Sequence, residues 1–232
     1  MSRKLRIFGI AALAIFALGA ISAQAALAVP EFTSFNRNNG KVEAVSVTGT
    51  QTTPLEYTFS AGGMAIKCTT AGFSGTFAGQ ATTLSVTPSW ANCTTNGGFN
   101  PVDVRVNGCK FEFSIIAKEV ADVYSGQFAV KCDATKKIEF EVRTEDGLSR
   151  KCLDTIDPQM GITSVTYTDD TTPKPEDFTI KMGTTNLANT TDDEKAKCGV
   201  NQELHKDGAF VGTTTMQGSN AKPEGIDFTV IG

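Results

Sequence analysis

The chain is poor in the residues that carry chemistry. Its 232 residues include one histidine, one tryptophan and three tyrosines. A Ser-His-Asp site needs its histidine beside an activated serine. The nearest approach to a nucleophile elbow, Gly72-Phe73-Ser74-Gly75, lacks the GxSxG spacing and falls between strands. His205 therefore reads as an exposed residue of a polar loop. Closely spaced cysteine pairs are missing too, since no two are nearer than Cys93 and Cys109, which argues against a metal site. Helical periodicity is nearly absent. Ile116–Tyr124 is the best helical candidate, and a strand connection fits it as well. Basic residues are outnumbered, 21 Lys and Arg against 25 Asp and Glu, giving a net charge of −4, so the chain lacks the basic footprint of a nucleic-acid binder.

Long apolar runs are missing after the N-terminus. Met1 to Ala25 has the form of a secretory signal: basic Arg3, Lys4 and Arg6, an apolar run from Ile7 to Ile21, and a small-residue cleavage site at Ala23-Gln24-Ala25 or at Ala26-Leu27-Ala28. An uncleaved membrane anchor is the alternative. Cleavage near Ala25 or Ala28 would leave a chain of about 205 residues, secreted or held at the cell surface. Removing the three basic residues of the signal takes the net charge from −4 to −7.

Six cysteines are present, an even number in an exported chain, and read as three disulfides. Six cysteines allow 15 pairings. Strand register favours one of them. Val102, Val104 and Val106 alternate with polar residues, and after Asn107-Gly108 so do Cys109, Phe111, Phe113 and Ile115. Asn-Gly between two such runs predicts a type I′ hairpin in which Val106 faces Cys109 and Val104 faces Phe111. The next strand, Gly126–Cys132, then sets Cys109 opposite Cys132 and Phe111 opposite Val130, and Ile138, Phe140 and Val142 continue the parity. Cys68–Cys93 and Cys152–Cys198 follow as sequential pairs.

The organisation expected is a signal over 1–25, a flexible lead-in over 26–41, a β region over 42–100 and a second over 101–232. The second is built on the 101–144 meander, and the two regions form either separate units or one continuous domain. Asn92–Asn100 reads as a polar loop, Glu145–Gln159 as an irregular segment and Ala188–Asp207 as a long polar stretch. Around a dozen short strands with regular turn signals predict an all-β, antiparallel, sandwich-like fold with three disulfides, either single or built as two stacked sub-sandwiches.

Several stretches bear a further resemblance. They include Lys67-Cys68-Thr69-Thr70-Ala71-Gly72-Phe73-Ser74-Gly75-Thr76, Val106-Asn107-Gly108-Cys109-Lys110-Phe111, Gly161-Ile162-Thr163-Ser164-Val165-Thr166-Tyr167-Thr168 and Phe210-Val211-Gly212-Thr213-Thr214-Thr215, set among the six cysteines. In this the chain resembles a group of secreted, six-cysteine, Thr-rich β proteins that occur as multiple paralogues in some actinobacteria. The resemblance implies an exported β protein and carries over no site residue.

Acidic residues offer two weaker candidates. Glu112, Glu139 and Glu141 share the wet face of the meander, but beside Lys110, Lys131 and Arg143 they read as a solvated charged face rather than a glycosidase pair. Asp169, Asp170, Glu176 and Asp177, and Asp192, Asp193 and Glu194, have no calcium-loop spacing. Trp90 and Phe99 are ligand-contact candidates for a sugar, against a reading of Trp90 as core. The expectation is a non-enzymatic exported protein acting in adhesion, coating or ligand capture, without cofactor or metal. Its partners would be an envelope or extracellular glycan or protein, and it would meet the membrane only through an uncleaved signal. The alternatives are a secreted carbohydrate-binding module or enzyme, and a surface protein that self-assembles through an edge strand such as Ile226–Ile231.

Overall fold

The structure is a computed structural model and describes residues 29–52, 57–61, 64–95, 100–170, 175–192, 204–220 and 225–232. The signal segment, Phe99 and Cys198 lie outside these residues. Pro30–Ile231 forms one compact body. Its strands, in chain order, are β1 (Glu31–Asn36), β2 (Lys41–Val42), β3 (Val45–Gln51), β4 (Tyr57–Ala61), β5 (Met64–Phe77), β6 (Gln80–Ala81), β7 (Thr83–Thr95) and β8 (Pro101–Arg105). They continue with β9 (Lys110–Val120), β10 (Val123–Lys131), β11 (Ile138–Arg143), β12 (Arg150–Ile156), β13 (Gln159–Asp170), β14 (Asp177–Asp192), β15 (Leu204–Ser219) and β16 (Ile226–Ile231).

The all-β, antiparallel character expected from the sequence holds, and the layers face each other as in a sandwich. Their margins are also joined. β3 and β4 pair with β5, β5 with β7, and β7 with both β8 and β9. Beyond these, β9 pairs with β10, β8 with β11, β10 with β13, and β11 with β12. Both β12 and β13 pair with β14, β14 with β15, and β15 returns to β3 and β4. The circuit closes as eight antiparallel passes among the described residues, each one long strand or two strands in line. Closure removes the exposed edges an open sheet would carry.

The Asn107-Gly108 turn forms but does not make the predicted hairpin. Both residues have positive φ (53° and 78°), and the Cys109 amide donates to the Val106 carbonyl at 2.9 Å. Yet Val102 lies opposite Cys93 and Phe111 opposite Val86, both on β7. The chain thus continues along one neighbour, and the turn is an insertion in a long strand. Pairing with β7 over both halves outweighs the local hairpin preference. The second half of the reading holds: Phe111 opposes Val130 and Phe113 opposes Phe128. Disulfides Cys109–Cys132 and Cys68–Cys93 follow, with Cα atoms 4.1 and 3.9 Å apart. Cys152 is also disulfide-bonded, while Cys198, its predicted partner, lies outside the described residues.

Four further expectations change. Ile116–Val120 ends β9, and Val123 already begins β10, so the helical candidate is extended. The lead-in is not flexible over Glu31–Asn36, which pairs residue for residue with β16. Its signal was hidden because Phe32, Thr33 and Ser34 are consecutively buried, breaking the alternation. The irregular segment contains β12, and β14 and β15 reach into the polar stretch on either side of it.

Phenylalanines fill the interior. Phe111 and Phe210, from opposite walls, have ring centroids 6.0 Å apart. β1 and β16 plug one end: Phe32 meets Tyr167 edge-on at 5.3 Å, and Phe228 lies 4.9 Å from Phe178 and 5.4 Å from Phe77. The free edge of β16 is held as well. Phe228 N donates to Glu176 O at 2.8 Å and Val230 N to Asp169 Oδ1 at 2.9 Å. Outward positions are polar, as with Ser74, Ser85, Thr179, Lys181 and Gln217. A membrane-spanning barrel has the reverse pattern, an apolar outer band.

Candidate functional site

At the end of the barrel away from β1 and β16, the interior turns polar. On β12, burial alternates so that Cys152, Asp154 and Ile156 point inward. Period two forces this: with Cys152 and Ile156 inside, Asp154 between them has no other face. Asp154 lies opposite Phe140 on one side and Thr191 on the other.

On β14, an irregularity decides which residues join it. Met182 and Thr184 point inward, then Thr185 and Asn186 are both exposed, and Leu187, Asn189 and Thr191 point inward. Asn186 takes φ 63° there, and the pairing with β15 shifts between Thr184 and Leu187. The extra residue flips the parity. Without it, Asn189 and Thr191 would face solvent. Gly208 on β15 makes room: a Cβ there would come within 2.8 Å of the Leu187 Cβ and 2.9 Å of the Leu187 carbonyl oxygen.

The Thr191 hydroxyl donates to Asp154 Oδ1 at 2.9 Å. Asn189 Nδ2 donates to Leu187 O at 3.0 Å and Asp207 Oδ1 at 3.4 Å. Asp154 and Asn189 are both 0 % exposed, yet Asp154 Oδ2 and Asn189 Oδ1 have no partner among the described residues. Each is a buried acceptor without a donor, an arrangement that costs about 1–3 kcal/mol per group in a sealed interior. Burial pushes the Asp154 carboxyl up to about 7, with the nearby Asp207 carboxylate adding to the rise; the Thr191 hydroxyl and His205 oppose it.

His205 is not in a loop. It is the second residue of β15, directly opposite Asn189 and half-buried. Trp90 also faces inward, opposite Ala71, with its ring 5.8–5.9 Å from Phe111, Phe140 and Phe210. It keeps partial exposure although those three phenylalanines are sealed. Phe99 lies outside the described residues. The structure thus brings Asp154, Asn189, Thr191, His205 and Asp207 to one end, with Phe140 linking Asp154 toward Trp90.

The other described acidic candidates serve the scaffold, while Asp193 and Glu194 lie outside the described residues. Glu141 is bracketed by Arg105 at 2.7 Å and Arg143 at 2.9 Å on the outer face, and Arg105 also meets Glu139 at 3.4 Å. Asp169 and Glu176 hold β16, and Asp227 Oδ1 accepts from Glu176 N at 2.9 Å. No group of three or more His, Cys, Asp or Glu among the described residues is arranged to hold a metal ion. No protein-family model matches the chain, and no curated protein or solved structure is detectably similar to it.

Proposed function

We propose that the chain is an exported, non-enzymatic β protein that captures a small ligand at the end of its barrel away from β1 and β16, at the cell surface or outside the cell. One observation carries the reading: Asp154 Oδ2 and Asn189 Oδ1 are buried acceptors left without donors among the described residues. A sealed core does not keep such atoms, whereas a binding site spends them on its ligand. The disulfides fit the oxidising compartment that export would reach. The signal over 1–25 and kinship with secreted six-cysteine β proteins are part of the same proposal.

Among the roles open to such a protein, capture fits better than edge-strand assembly, since the outward amides Phe228 N and Val230 N of the last strand already have acceptors. Trp90 favours a second reading, a carbohydrate-binding module, because a partly exposed inward tryptophan can stack on a sugar.

Native mass spectrometry of the secreted protein against a small-molecule library tests capture. The expected result is at least one bound species that Asn189→Leu abolishes. Ligands that bind equally well to Asn189→Leu would contradict the interior site. A glycan array addresses the second reading, which requires binding lost in Trp90→Ala.

A further inference from the structure

The proposed capture site leaves its ligand class open, and the atoms at it are one-sided. Asp154 Oδ2 and Asn189 Oδ1 are both oxygens in acceptor roles, both on 0 %-exposed side chains. Two of the nearby donors are spent: the Thr191 hydroxyl on Asp154 Oδ1, and Asn189 Nδ2 on Leu187 O and Asp207 Oδ1. A sugar hydroxyl both donates and accepts, so it would meet only half of its needs there. An ammonium or guanidinium only donates.

Charge points the same way. Among the described residues, the charged groups acting on Asp154 are His205 and Asp207, both from β15. The facing residues of β11 and β14, Phe140 and Thr191, carry none. Asp207 is a second carboxylate beside Asp154, so negative charge gathers among the described residues of the site. A buried carboxylate is best compensated by a cation that also hydrogen-bonds it. The ring of Trp90 contacts Phe140, which pairs across from Asp154, and offers an aromatic surface suited to the methylene stem of an alkyl cation.

Resting on the capture reading, we propose that the ligand presents an organic cation, a primary ammonium or a guanidinium, whose N–H groups bridge Asp154 Oδ2 and Asn189 Oδ1. Binding then competes with the proton on Asp154. It weakens as pH falls, because a protonated carboxyl no longer attracts the cation.

The test follows backbone amide shifts of the full secreted chain, disulfides intact, on titration with propylammonium, guanidinium, propanol, propionate or glucose. The expected result is saturable shifts at Asp154, Asn189 and Thr191 with the two cations alone, at least tenfold tighter at pH 8 than at pH 5. Asp154→Asn should weaken binding at least tenfold. The pH comparison needs no variant, so a folding defect in Asp154→Asn leaves the test intact. Glucose or propanol shifting the same amides as strongly as the cations would overturn the cation assignment and leave capture standing. No shift at these residues with any probe would overturn both.

Discussion

The Thr191 hydroxyl holds one oxygen of Asp154 at 2.9 Å and leaves the other, fully buried, without a partner among the described residues. A carboxylate in that position is a liability for the folded state. Its neutral amide counterpart should relieve it. Asp154→Asn is expected to raise stability at pH 8 by roughly 1–3 kcal/mol, with the gain vanishing at pH 5, where the native carboxyl is already protonated. Urea unfolding of both proteins at both pH values checks this.

The wild-type protein should itself lose stability as pH rises. Asp154 has its folded value raised to about 7, so the folded state binds the proton more tightly than the unfolded chain. The contribution is fully present below the usual carboxylate value and is lost as pH climbs through about 7. Asp169, pushed up to about 6 mainly by burial, acts in the same direction over a narrower window. Unfolding midpoints measured from pH 4 to 8 should fall across that range. A midpoint that rises steadily would contradict the burial of both groups.

Gly208 should tolerate no side chain. A Cβ would meet Leu187 at 2.8 Å, against backbone as well as side chain. Gly208→Ala is expected to cost about 1–3 kcal/mol and to move the Asn189 side chain, visible as altered amide shifts along β14.

The β1–β16 plug should exchange slowly. The Phe228 and Val230 amides donate to Glu176 O and Asp169 Oδ1. Their hydrogen exchange should match that of β14 rather than of a fraying terminus. Phe228→Ala, which empties a fully buried position beside Phe77 and Phe178, should cost about 3–5 kcal/mol in chemical denaturation.

Removing the Cys109–Cys132 bridge as a double serine variant should cost about 2–4 kcal/mol. Peptide mapping without reduction should recover this bridge and Cys68–Cys93.

Much of the fold was legible because alternation in a half-buried strand is a direct record of its two faces. The Phe111–Val130 register and the Cys109–Cys132 bridge came from it. Alternation records faces, not neighbours, so the Asn107-Gly108 turn suggested a hairpin where the strand runs on along β7. Bulges hid more. At Thr185–Asn186 the parity flips without an apolar marker, so Asn189 and Thr191 looked like ordinary loop residues. His205 was missed as a strand residue for the same reason, lying across from Asn189 in a stretch of polar sequence. Asp154 carried a usable signal: it stands at the inward parity between Cys152 and Ile156. Trp90 was singled out from sequence, and the structure turns it inward.

Inside the barrel, one oxygen of the Asp154 carboxyl is buried without a partner among the described residues. The most direct measurement is the carbon-13 NMR titration of the Asp154 side-chain carboxyl in the protein with its disulfides intact. The expected midpoint is near 7, where burial sets it. A midpoint near the ordinary 3.8 would mean that the group is hydrated or already paired, and would contradict it.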